Sequence, residues 1–159
     1  MTLVIRNATS SEAARVHAVM ADAFEAYRHA VPPTSALTET PASVQQLLQG
    51  HEEAALCFEA GRAVASVRFE IKDGLYFRRL AVLRSEQGRG IGSAMVRWLE
   101  REAVLRRQRR IWLKVRATEP ANQAFYHKRG YEVLEQRDEV NSNGDVVAVV
   151  VMGKDLPSR

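Results

Sequence analysis

A strand-like apolar run, Leu80-Ala81-Val82-Leu83, breaks into Arg84-Ser85-Glu86-Gln87-Gly88-Arg89-Gly90-Ile91-Gly92, and an amphipathic helix follows at once. Three glycines in five residues let the backbone approach a ligand closely and adopt torsions closed to other residues. A helix start offers N–H groups without intrahelical partners and the positive end of a dipole. Together these predict an anion site for a phosphate or pyrophosphate at the turn Gln87-Gly88-Arg89-Gly90-Ile91-Gly92.

The elements around the turn follow from apolar period and punctuation. Leu3–Arg6 reads as a strand, and Ser10 or Ser11 caps a helix carrying Val16, Val19, Met20, Ala23, Phe24 and Tyr27 at helical spacing. Pro32-Pro33 ends it, and a loop runs to Pro41. Ala42–Gln49 is a second helix, stopped by Gly50. The period then changes to two. Strands over Ala54–Glu59 and Arg62–Ile71 join through Ala60-Gly61, and Asp73-Gly74 leads into a strand over Leu75–Leu83. Ile91, Met95, Trp98, Leu99, Ala103 and Leu105 mark one face of the next helix. A strand over Ile111–Ala117 and a helix from Pro120 to Lys128 come next. Strands over Tyr131–Val140 and Val146–Met152 join at Asn143-Gly144. The order is β-α-α-β-β-β-α-β-α-β-β. The two β-α-β passages in the second half argue for parallel neighbours there and the hairpins for antiparallel pairing elsewhere, which predicts a single α/β domain over residues 1–159 with one mixed, mostly antiparallel sheet and flanking helices.

Composition excludes several classes. One cysteine among 159 residues rules out an intramolecular disulfide and a cysteine-rich zinc site, and Cys57 lies in an apolar run that predicts burial. His17, His29, His51 and His127 have no metal-ligand spacing, so no metal is expected. The first residues lack the pattern of a secretory leader, and no stretch approaches the roughly 20 apolar residues that span a bilayer. A cytoplasmic protein without membrane contact is expected. The net charge is +4, and Arg106, Arg107, Arg109 and Arg110 form its densest run. These residues read as a solvated helix end, because no aromatic interleaving or DNA-binding motif accompanies them. No nucleic-acid partner is expected.

The turn fits neither common nucleotide motif. A P-loop requires Lys and then Ser or Thr after its glycines, whereas Gly92 is followed by Ser93-Ala94. A dinucleotide fingerprint counted from Gly88 would place its last glycine at Ser93. Gln87-Gly88-Arg89-Gly90-Ile91-Gly92 does fit Q/R-x-x-G-x-G/A. Leu80-Ala81-Val82 before it and Phe125-Tyr126-His127-Lys128-Arg129-Gly130-Tyr131 downstream complete a pattern. The chain thereby resembles the GNAT superfamily of acyl-CoA-dependent N-acyltransferases, over nearly the whole span from Leu3 to Met152.

The resemblance implies that acetyl-CoA is the cosubstrate and lies where the two parallel strands splay. Main-chain groups of Leu80, Ala81 and Val82 are expected to pair with its pantetheine arm, and the turn with its pyrophosphate. Arg84 and Arg89 are candidate side-chain phosphate contacts. The Val82 N–H is the expected oxyanion donor, and Tyr126 stands at the family's general-acid position. Asn122, one helical turn before Tyr126, is a candidate pantetheine contact, although Glu119 stands where many relatives carry asparagine. Phe77-Arg78-Arg79 replaces the strand glutamate that some relatives use as a base, which leaves Glu70, a water held by Tyr76, or bulk solvent through a water chain.

Tyr27, Arg28 and Glu39, in the segment after the first helix, are candidates for the acceptor side. Arg78 and Arg79 alternate faces on a regular strand, so only one should reach the acceptor. Arg78 shares parity with Leu80 and Val82 and favours an acceptor bearing a carboxylate. The expected function is N-acetyl transfer to a primary amine of a small molecule or peptide. The alternative is a non-catalytic acyl-CoA-binding regulatory module. A homodimer through the last strands is the oligomer that the resemblance allows.

Overall fold

The computed structural model describes residues 2–157; Met1, included in the reading of the N-terminus and in the 1–159 domain span, and Ser158 and Arg159 lie outside them. Its elements are β1 (Val4–Asn7), α1 (Ala13–Phe24), α2 (Pro41–Leu48), β2 (Glu53–Glu59), β3 (Arg62–Ile71), β4 (Leu75–Val82), α3 (Ile91–Leu105), β5 (Arg110–Arg116), α4 (Pro120–His127), β6 (Glu132–Val140) and β7 (Val146–Asp155). This is the expected order. The strands are hydrogen-bonded in the sequence β1-β2-β3-β4-β5-β7-β6. Pairing is antiparallel from β1 to β2, β2 to β3, β5 to β7 and β6 to β7. It is parallel between β4 and β5, in the register Leu75 to Ile111 and Tyr76 to Trp112. The chain therefore has the expected mixed α/β fold.

The chain forms two compact units, one of residues 2–70 and 77–99, the other of 71–76 and 100–157. In the first, β3 is buried on both faces. Ser66 points toward α1, its hydroxyl 3.5 Å from the Val16 carbonyl, while Phe69 packs edge-on against Trp98 of α3 at 5.9 Å. One core cluster joins Ala13 and Val16 of α1, Val44 of α2, and Ala54 and Leu56 of β2. Another joins Val19, Met20 and Ala23 of α1 to Ala36 and to Ala81 of β4. Neither Ser10 nor Ser11 caps α1: both lie in a single 3-10 turn, Ser10–Glu12, whose N-cap is Thr9, with the Thr9 N–H donating to Glu12 Oε1 at 3.0 Å, and Glu12 is the N-cap of α1 itself. A second 3-10 turn, Glu25–Tyr27, follows α1 and carries Tyr27, and a third, Ser35–Thr38, interrupts the expected loop.

In the second unit, β7 lies between β5 and β6 and pairs antiparallel with both, so the second β-α-β passage, β5-α4-β6, does not make the parallel neighbours its order argued for. Gly74, directly before β4, has φ +107, and a Cβ there would fall 2.5 Å from the Arg110 carbonyl oxygen. Tyr131 is fully buried and donates its hydroxyl to Glu100 at 2.8 Å; Lys154 pairs with the same carboxylate at 3.2 Å. Leu105, expected on the buried face of α3, is 57% exposed, whereas Val96 is buried. The helix ends at Leu105, and the left-handed Arg107 (φ +60) turns the chain out of it.

Candidate active site

The turn after β4 is built as its glycines predict. Arg84–Glu86 makes a single 3-10 turn, and Gln87 then donates its side-chain amide to the Val82 carbonyl at 3.1 Å. Gly88 and Gly90 take φ +80 and +82, and a Cβ on either would meet nothing within 4 Å. The missing side chains leave open space rather than packed core. The 15-residue α3 starts at Ile91, with Gly90 supplying its first carbonyl acceptor to the Ala94 N–H at 3.1 Å. The preceding N–H groups of Ile91 and Gly92 belong to the helix end, where the helix itself supplies no acceptor. These residues fit an anionic group.

The nearby arginine side chains are committed elsewhere. Arg89 holds Glu59 in a two-point pair, at 2.9 and 2.7 Å, and also binds Glu86, and these carboxylates push its pKa up. Arg84 is paired with Asp22 at 3.5 Å, and its N–H donates to the same carboxylate at 2.9 Å. Sequence spacing gave no sign of these pairs, because Glu59 and Asp22 lie far away in the chain.

On β4, Ala81 is buried against α1, and Leu80 and Val82 are half-buried. Just before them, Arg79 stands at φ +56, a left-handed conformation unusual for a residue with a side chain. This breaks the expected alternation. Arg78 and Arg79 both reach one ionic network instead of opposite faces. At its centre Arg68 of β3 is 1% exposed, with Glu39 on its Nη1 and Glu52 2.8 Å from its Nε. Arg78 Nε donates to Glu52 at 2.7 Å, and Arg79 Nε to Glu39 at 2.9 Å. Arg68 Nη2 is buried with no hydrogen-bond partner. Burial alone would raise the pKa of Glu39, but Arg68 and Arg79 outweigh it and hold the carboxyl below its usual range.

Among the other acceptor-side candidates, Tyr27 is half-buried with its ring 5.6 Å from Phe24. Arg28 is exposed and paired with Glu25, at 2.7 Å through Nη2. Glu70 is half-buried near the end of β3. His17 is half-buried and bonds the Glu39 carbonyl at 2.9 Å.

In the second unit, Tyr126 is 8% exposed near the end of α4. Its ring meets Phe125 edge-on at 4.9 Å and Tyr131 at 5.8 Å. Asn122, one turn earlier on α4, is half-buried. Tyr76 stacks on Trp112 at 4.4 Å, with the ammonium groups of Lys72 and Lys114 at 5.8 and 5.5 Å from its centroid. Among the described residues, no group of three or more His, Cys, Asp or Glu side chains is arranged to hold a metal.

Comparison with known proteins identifies the family and the fold. The acetyltransferase (GNAT) family model matches residues 16–131. None of the curated proteins matches the chain. Among solved structures, the GCN5-related N-acetyltransferase from Rhodopseudomonas palustris superimposes with a TM-score of 0.79 at 20% identity, covering 98% of this chain and 97% of that one. The ribosomal-protein-S18-alanine N-acetyltransferase from Escherichia coli gives 0.78 at 18%, covering 99% and 96%. The PaiA N-acetyltransferase from Thermoplasma acidophilum, in complex with coenzyme A, gives 0.76 at 12%, covering 98% and 99%. The chain belongs to the GNAT acetyltransferase family. Its general reaction class is acetyl-CoA-dependent acetylation.

Proposed function

We propose that this protein transfers an acetyl group from acetyl-CoA to a primary amine of a small molecule or peptide by direct attack. The observation that carries the reading is the turn at Gln87–Gly92. Two left-handed glycines open onto free space directly ahead of a long helix. Main-chain N–H groups there, with Ser93, bind the diphosphate, because a helix start favours negative charge and glycine removes the Cβ that would keep a phosphate away.

Acetyl-CoA supplies an activated acyl carbon, and the chain supplies alignment and charge stabilisation. Leu80, Ala81 and Val82 hold the pantetheine arm through their main chain, with Asn122 as a further contact. The Val82 N–H donates to the carbonyl oxygen as negative charge develops there. Tyr126 returns a proton to the departing thiolate. Glu70, or a water on Tyr76, takes the proton from the amine. Arg78, half-buried at the rim of an arginine-rich network, favours an acceptor that carries a carboxylate over a polycation, and Tyr27 lines the acceptor side.

The second reading, a non-catalytic acyl-CoA-binding module, draws on Phe77-Arg78-Arg79, which places no carboxylate on β4. Calorimetry with acetyl-CoA, followed by release of free CoA across amino acids, polyamines and peptides, separates the readings. Binding with turnover supports the enzyme, and binding without turnover supports the module. Absence of binding overturns both. A polyamine preference overturns the role given to Arg78.

A further inference from the structure

Arg79 combines two properties that are seldom found together. It has a left-handed backbone inside a strand, and its side chain is tied to three partners. Nε donates to Glu39 at 2.9 Å, Nη2 donates to Ser35 Oγ at 3.0 Å, and the guanidinium lies 5.7 Å from the centroid of Phe24. Only Gly, and sometimes Asn or Asp, occupies this backbone region routinely, so an arginine there must be held by its surroundings.

Glu39 provides that hold. One carboxylate oxygen accepts from Arg68, which is anchored in a strand buried on both faces; the other accepts from Arg79. The Glu39 main chain is fixed as well, its carbonyl by His17 at 2.9 Å and its N–H by the Ala36 carbonyl at 3.3 Å. With both oxygens engaged by arginine, this carboxylate is ill-suited to receive the ammonium group of an acceptor. The torsions at Arg79 set the direction of every peptide plane that follows it on β4.

We propose that Glu39 is a positioning residue for acyl transfer: by bridging Arg68 and Arg79 it keeps Arg79 left-handed, and so aims the main-chain N–H groups of Leu80 to Val82. This rests on the acetyl-CoA reading above. Of these, the Val82 N–H meets the acyl carbonyl, which acetyl-CoA has and free CoA lacks. Glu39 therefore acts on acyl recognition and on kcat, while leaving acceptor affinity alone.

The test is a double-mutant cycle in the full chain. Glu39→Gln lowers kcat about tenfold, as expected for misaligned donors. It leaves the KM for the amine unchanged, weakens acetyl-CoA more than CoA by calorimetry, and speeds amide exchange at Leu80–Val82. In an Arg79→Gly background, where glycine adopts φ +56 unaided, Glu39→Gln has no further effect on kcat. An equal effect in both backgrounds, or a rise in amine KM at constant kcat, overturns the proposal. If Glu39→Gln does not fold, Ser35→Ala, which removes the other polar partner of Arg79, must lower the preference for acetyl-CoA over CoA; an unchanged preference overturns it. Wild-type protein without affinity for acetyl-CoA removes the functional reading and this inference together. Normal wild-type binding with an unaltered preference in Glu39→Gln removes the inference alone.

Discussion

Gln87 donates its side-chain amide to the Val82 carbonyl at 3.1 Å and so fastens the glycine turn to the end of β4. The residue that binds diphosphate in our reading is thus joined to the one that meets the thioester. Gln87→Ala removes a single exposed hydrogen bond, worth about 1 kcal/mol. The bond is already present in the free protein, so its loss lowers Tm by about 2–4 °C, and the loosened turn raises the acetyl-CoA dissociation constant in calorimetry.

Gly90 tests the turn itself. At φ +82 a side chain is strained, although the space around it is open. Gly90→Ala costs about 1–2 kcal/mol of backbone strain, which for a chain this long lowers Tm by about 3–6 °C. The stabilisation of the wild-type protein by acetyl-CoA should vanish in this variant, because the Cβ enters the space reserved for the ligand. A retained thermal shift would place the coenzyme elsewhere.

Tyr126→Phe keeps the edge-on ring contacts to Phe125 and Tyr131 and removes only the hydroxyl. As a general acid, Tyr126 should contribute about 10²-fold to kcat. Steady-state release of CoA should fall by that factor, with KM for both substrates close to wild type. A fully active phenylalanine variant assigns the tyrosine to packing alone.

Cys57 gives the fold an alkaline limit. Burial, and then the charge of Glu59, push its thiol up to about 11 from a usual value of 9.0. A group whose folded pKa is raised contributes stability in full below its unfolded pKa, and that contribution disappears as pH rises through the folded value. Wild-type stability should therefore decline between pH 9 and 11 more steeply than that of Cys57→Ala, by urea titration at each pH. At about pH 8 a thiol reagent should label the protein only as it unfolds.

Most of the fold was legible because period and punctuation agreed. The positive-φ pairs at Ala60-Gly61 and Asp73-Gly74 fall where the turn residues predicted them, and the change from helical to alternating spacing marks the passage from α2 to β2. The turn at Gln87–Gly92 was legible for the same reason, since glycine announces unusual torsions. Arg79 was not, because an arginine in a left-handed conformation leaves no mark in local sequence; its cause is a carboxylate 40 residues away. The pairing of Arg89 with Glu59, 30 residues apart, escaped sequence reading for a similar reason. Side-chain commitments across a sheet depend on register, which single-residue patterns do not encode. The buried side of α3 was misjudged at Leu105 because a periodic pattern does not reveal where the helix stops.

Position 74 has a wider reach than its place in a hairpin suggests. The Arg110 carbonyl occupies the spot where any side chain would begin, and the parallel register starts one residue later, with Leu75 beside Ile111. Even alanine there would wedge the two strands apart at their point of closest approach. Such a lesion would surface in an assay as an enzyme defect while touching no reacting atom, and a survey of loss-of-function variants would misfile it as catalytic.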